Sequence, residues 1–213
     1  MTEKPAVVKV PEHVAISFLL AELGPRQTCG LAGTLLMLTA GMLPDLDGVT
    51  LLAGWRAYRT YHRILGHGLP MTILGPAFLT WLGVAALGCE NGWTLWIWLQ
   101  TALLVHLFTD VCFYRWPVQL LWPVSSRAWG LGLLSWNDLV PTITLYAASV
   151  GVLLWPERGI TFASGGLTGF FLYLAWRTWR PPSRNGLSAW LAGGWTAHHA
   201  RFWRWLTGDF VTR

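Results

Sequence analysis

An all-α, polytopic membrane helical bundle is the fold this sequence predicts, and three observations carry it. Only 12% of the 213 residues are charged, against about 25% in a soluble domain. Mean hydropathy is +0.43. The apolar residues gather into runs near membrane-spanning length, broken by Gly, Pro and charged residues. The 16 Trp point the same way, because indoles favour the bilayer interface. The length allows one membrane domain, residues 1–180, and an interfacial amphipathic tail, residues 181–213.

Residues 13–23 are apolar for about three turns, too short for a hydrocarbon core that needs about 20 residues. Gly24-Pro25-Arg26 ends this run, and a second runs from 28 to 43, so the pair reads as a short helical hairpin whose first arm is short or re-entrant. The N-terminus lacks a small-residue cleavage site and does not read as a removed signal peptide. Residues 69–88 and 93–109 read as two spans joined by a Glu90-Asn91-Gly92 turn. Residues 110–134, with Pro117 and Pro123, read as irregular; spans follow at 139–155 and 160–176. In the tail, Trp and Arg suit a helix in the headgroup layer. Cys29, Cys89 and Cys112 are odd in number and scattered, which argues against a disulfide framework and for small packing residues.

Alternating sides at each span puts every Lys and Arg except Arg26 and Arg158 on the side that carries the 44–68 loop. The positive-inside rule makes that side the cytoplasm. The same alternation brings His13, Asp45, Asp47, His62, His67, His106, Asp110 and Asp138 to that side, at or near span ends.

These groups are first-choice donors for a divalent cation. His106 and Asp110, four apart, share a helix face; they either bind each other or hold a metal. Asp45 and Asp47 flank Leu46 after Pro44, as a solvated helix-ending turn or as carboxylates for one or two ions. His62 and His67, five apart, diverge by about 140° on an ideal helix, so they meet only if the chain bends, which Gly66 and Gly68 permit. Arg63 could clamp a phosphate or serve only as a positive-inside residue. His13 reads as a ligand or as a solvated terminal histidine, and Asp138 as a member of the site or as a stabiliser of a helix N-terminus. His198 and His199 belong to the tail surface. The chain has no Walker motif, G-x-S-x-G elbow or H-E-x-x-H. Its basic residues form no nucleic-acid-binding signature.

The ordered set Leu43-Pro44-Asp45-Leu46-Asp47, His62-Arg63 with His67, His106 with Asp110, and Leu121-Trp122-Pro123 resembles the YdjM-like family over roughly residues 12 to 140. Members are described as LexA-binding, inner-membrane-associated proteins with a predicted metal-dependent hydrolase activity. The resemblance implies metal roles for Asp45, Asp47, His62, His67, His106 and Asp110, and strengthens the case for His13. Members typically carry Thr-His-Ser where this chain has Gly66-His67-Gly68, and often a His where Gly48 stands. The missing hydroxyls would remove support for His67.

The expectation is therefore a hydrolase of the bacterial inner membrane, multi-pass, with its site on the cytoplasmic side. It would use one or two divalent ions, Zn or Mn, with Asp45, Asp47 or Asp138 accepting a proton and Arg63 facing a phosphoester. Membrane lipids surround the site, so a lipid or lipid-linked phosphoester could reach it laterally. The alternative is a non-catalytic, metal-containing membrane protein that binds a LexA-type regulator. Clustering of the ionisable residues on one side disfavours ion transport, and the number of donors exceeds one closed structural zinc site.

Overall fold

The computed structural model describes residues 10–113, 117–134 and 138–180. The interfacial helix expected over 181–213 lies outside the described residues, as do Lys4, Lys9 and Arg115 of the topology argument. Within the described residues the chain is all-helical: α1 (Val10–Leu23), α2 (Pro25–Met42), a 3-10 helix (Pro44–Ala53), α3 (Trp55–Tyr61), α4 (Leu69–Leu87), α5 (Gly92–Cys112), α6 (Leu139–Leu154), a 3-10 turn (Pro156–Arg158) and α7 (Gly159–Trp179).

The short first arm is the centre of the bundle. At 14 residues α1 is about 21 Å long, less than the hydrocarbon thickness, yet it packs on α2, α5, α6 and α7. Ala15, Ile16, Leu19, Leu20 and Ala21 are all buried. Being enclosed by other helices, it has no need of bilayer length. It meets α2 closely at Gly41, where any side chain would collide with Ser17. α2 begins at Pro25, earlier than the apolar run, because Pro suits the first helical turn; Gly30 kinks it at a φ of 58°.

α4, α5 and the segment Pro156–Trp179 are long and apolar enough to cross a membrane. A fourth crossing is α2 with the 3-10 helix, if that pair, bent by 58°, is one broken span. α6, expected as a full span, has 16 residues, about 24 Å; it pairs with α7, where Gly151 and Gly166 allow close approach to Phe162 and Ala148. The Glu90-Asn91-Gly92 turn is present, and the Asn91 side chain accepts the Thr94 N–H at 3.0 Å to cap α5.

The cysteine expectation is corrected. Cys29 and Cys89 form a disulfide across 60 residues, while Cys112 is free and buried. Sequence spacing could not reveal the pair. Cys29 sits in the early part of α2 and Cys89 just beyond the end of α4, and only helix packing brings them together. The pair staples these helices at the end opposite the 44–68 loop.

After α5 the chain is irregular but pinned. Val118 and Trp129 exchange backbone hydrogen bonds at 2.8 Å, and Leu133 N–H donates to the Cys112 carbonyl at 2.7 Å. The Trp122-Pro123 bond is cis. Two further bonds tie this segment to the 62–69 turn: Gln119 N–H to the Arg63 carbonyl at 3.1 Å, and Leu69 N–H to the Trp122 carbonyl at 3.0 Å. Of the Leu-Trp-Pro landmark, Trp122 supplies the second of these bonds.

Candidate metal centre

The Pro-Asp-Leu-Asp turn is a 3-10 helix, and three residues per turn give its two aspartates different fates. Pro44 and Asp47 fall on the inner edge and are buried, while Asp45 lies on the adjacent edge. Asp47 is saturated by donors. Its Oδ1 lies 2.6 Å from His62 Nδ1. Its Oδ2 accepts the N–H of Arg63 at 2.9 Å and of Gly66 at 3.2 Å, and lies 3.1 Å from His67 Nδ1. One carboxylate therefore folds the whole His62–His67 turn around itself.

The turn solves the five-residue spacing by a route other than glycine freedom. The left-handed residue is Arg63, at a φ of 67°, an uncommon conformation for a non-glycine residue. Gly66 is required for closeness: a side chain there would strike the Pro44 carbonyl. A threonine in place of Gly66 would meet the same carbonyl. Gly48, by contrast, faces open space.

Asp110, on the last turn of α5, is the hub. Its Oδ1 accepts from Arg63 Nη2 at 2.8 Å and lies 3.4 Å from His13 Nε2. Its Oδ2 lies 2.9 Å from His67 Nε2 and 3.6 Å from His106 Nε2. Arg63 is 1% exposed, so its guanidinium serves Asp110 and is not displayed for a phosphate.

Two histidines are held in defined tautomers. His106 Nδ1 lies 2.6 Å from the Gly41 carbonyl; a carbonyl can only accept, so Nδ1 carries the hydrogen and Nε2 is left facing the carboxylates. The Thr109 hydroxyl donates to the His106 carbonyl at 2.8 Å, so it accepts from His13 Nδ1 at 3.3 Å. His13 Nε2 then faces Asp110. The two rings stack with centroids 3.8 Å apart.

Asp45 completes the arrangement. Both of its carboxylate oxygens are buried without a hydrogen-bond partner, as are the Nε2 atoms of His106 and His13. The nearest of these to Asp45 Oδ1 is His106 Nε2, at 3.8 Å. Donor atoms of Asp45, His67, His106 and Asp110 all lie within 4.8 Å of one another. A buried carboxylate without partners is costly, and its natural complement is a cation. Two imidazoles and two carboxylates fit Zn²⁺ or Mn²⁺.

Burial opposes a charge on His67, but the Asp110 and Asp47 carboxylates outweigh it and push its pKa up to about 9. Without metal the ring bridges two carboxylates as an imidazolium. For ligation Nε2 must shed its proton, leaving Nδ1–H on Asp47 in the carboxylate–histidine arrangement common behind metals.

The residues singled out from sequence thus divide. Asp45, His67, His106 and Asp110 form the four-donor group, with His13 beside it. Asp47, His62 and Arg63 build and charge-balance its surroundings. Asp138 is engaged with α7, accepting from the Tyr173 hydroxyl at 2.7 Å and pairing with Arg177 Nη2 at 3.1 Å. Three residues escaped the sequence reading: Gly41, Thr109 and Tyr58. Tyr58 stacks on His62 at 4.4 Å; burial and then the Asp45 charge push its phenol up to about 12. Its position four before His62 on a helical run was the available signal.

The family model described as YdjM inner membrane protein matches residues 8–198. No curated protein and no solved structure matches the chain.

Proposed function

The chain belongs to the YdjM inner membrane protein family, and from that premise we propose that it is a metal-dependent hydrolase embedded in the inner membrane, with its site at the cytoplasmic face. The observation that carries the reading is the Asp45 carboxylate, buried without a hydrogen-bond partner among the donors of His67, His106 and Asp110. These four side chains would hold the ion, which when bound supplies Lewis acidity and an activated water. Asp47 orients His67, the Gly41 carbonyl orients His106, and Arg63 offsets the charge of Asp110.

The cytoplasmic orientation draws support from two independent features. The Lys and Arg of the chain favour the site-bearing side. The Cys29–Cys89 disulfide lies at the other end, where an oxidising periplasm would sustain it. A phosphoester, lipid-borne or lipid-linked, is the substrate class we favour, because the donors sit at helix ends where a headgroup can arrive from the side.

The test is elemental analysis of protein purified without chelator, followed by a panel of phospholipids and soluble phosphoesters with and without chelator. Stoichiometric Zn or Mn and chelator-sensitive release of phosphate or headgroup are expected. Absence of metal, or metal content unaltered in Asp45→Ala and His106→Ala, overturns the reading. Metal without turnover of any phosphoester would favour a regulator-binding role instead.

A further inference from the structure

The 3-10 helix Pro44–Ala53 has a second face that the metal centre does not use. Three residues per turn eclipse positions three apart, and burial follows that period from Pro44 to Val49, after which Leu51, Leu52 and Ala53 are all exposed. Pro44 and Asp47 face inward; Leu46, Val49 and Leu52 face outward at 58%, 63% and 89% exposure. The three side chains form an apolar ridge, widened near its end by Leu51 at 51% exposure, on the helix that carries Asp45.

We infer that this ridge is inserted into the headgroup–acyl boundary of an anionic lipid surface, so that the site borders the headgroup layer; as regards substrate delivery, the inference rests on the hydrolase reading. The helix leaves α2 at a bend of 58°. Its 10 residues rise about 20 Å, too little to span. From Gly48 to Tyr61 the chain has no acidic residue and carries the exposed Arg56, which complements anionic headgroups. Trp55 and Tyr61 are partly exposed aromatics of the type that settles at this depth.

The substrate class that follows is an amphiphile with a phosphate-bearing headgroup, presented beside Asp45 without leaving the bilayer. The whole chain, its Cys29–Cys89 disulfide intact, is placed in nanodiscs of phosphatidylcholine and phosphatidylglycerol. An environment-sensitive fluorophore is attached at Leu52→Cys and, separately, Val49→Cys, with Glu157→Cys as the aqueous reference. Lipids spin-labelled near the headgroup should quench the ridge probes several-fold more than lipids labelled at the chain end, and more than aqueous iodide does. Iodide quenching equal to that at Glu157→Cys places the ridge in water and overturns the inference. Strongest quenching by chain-end labels makes the helix part of a broken span and overturns it too, as does shielding from all quenchers with cross-linking between copies. The same measurement in Asp45→Asn should be unchanged, so a missing metal and a misplaced ridge are separable results.

Discussion

Replacing Asp45 by Asn should change stability with opposite signs depending on metal. The side chain is 6% exposed and both carboxylate oxygens lack a hydrogen-bond partner. A buried polar group left unpaired costs about 1–3 kcal/mol, and more when charged. The neutral amide keeps the shape and removes the charge, so metal-free Asp45→Asn should gain about 1 kcal/mol. In a chain of this size that is a Tm rise of about 2–4 °C. With metal the order reverses. A ligand at 100 times its Kd adds about 2.7 kcal/mol, and loss of one of four donors should remove most of that increment. The assay is thermal unfolding in detergent, wild type against Asp45→Asn, each with chelator and with excess Zn²⁺ or Mn²⁺. If Asn destabilises the chelated protein, Asp45 has a structural partner and the argument fails. If the metal-induced shift survives in the variant, Asp45 is not a ligand.

Asp47→Asn should lower metal affinity about 10–100-fold although Asp47 is outside the four-donor group, because the turn it folds carries His67; metal titration with affinity equal to wild type would refute this. Gly41→Ala should cost about 1–3 kcal/mol by overpacking and weaken metal binding, since the collision with Ser17 displaces the carbonyl that orients His106, whereas Gly48→Ala, facing open space, should do neither. His67, raised to about 9 from an ordinary 6.5, contributes stability to the metal-free protein that is complete below pH about 6.5 and lost as pH rises through 9. Metal affinity should climb over the same window with release of a proton, and calorimetry in buffers of differing ionisation heat reads that proton directly. After mild reduction of intact cells, a membrane-impermeant thiol reagent should reach Cys29 from outside; labelling only in inverted vesicles would reverse the proposed orientation.

The fold was legible where apolar runs approach the length of a membrane span and end at clear breaks. The runs at 69–88 and 93–109 match α4 and α5 because lipid accepts every apolar side chain, leaving length and breaks as the signal. α1 was legible as an anomaly, too short to span, but its position at the centre depends on packing by four other helices. The disulfide was illegible for the same reason. Its halves are 60 residues apart, and nothing local to either cysteine encodes the approach of α2 to α4.

The site shows why identical residues near each other in sequence can differ in role. Asp45 and Asp47 are chemically equal and two apart in one turn, and the family resemblance implies a metal role for both. The 3-10 geometry separates them, turning one to an array of N–H donors and leaving the other with none. His106 and Asp110 were recoverable because α-helical spacing holds there. Arg63 and the glycines around His67 were not, since steric approach to Pro44 and Trp122, two segments remote in the chain, decides which residue must be small and which must turn left-handed. A further consequence follows from the two faces of the Pro44–Ala53 helix. The same three-residue period that selects Asp45 as the open ligand turns Leu46, Val49 and Leu52 away from the protein. Ligand selection and membrane contact are therefore coupled through one short helix, and converting it to α-helical spacing would disturb both together.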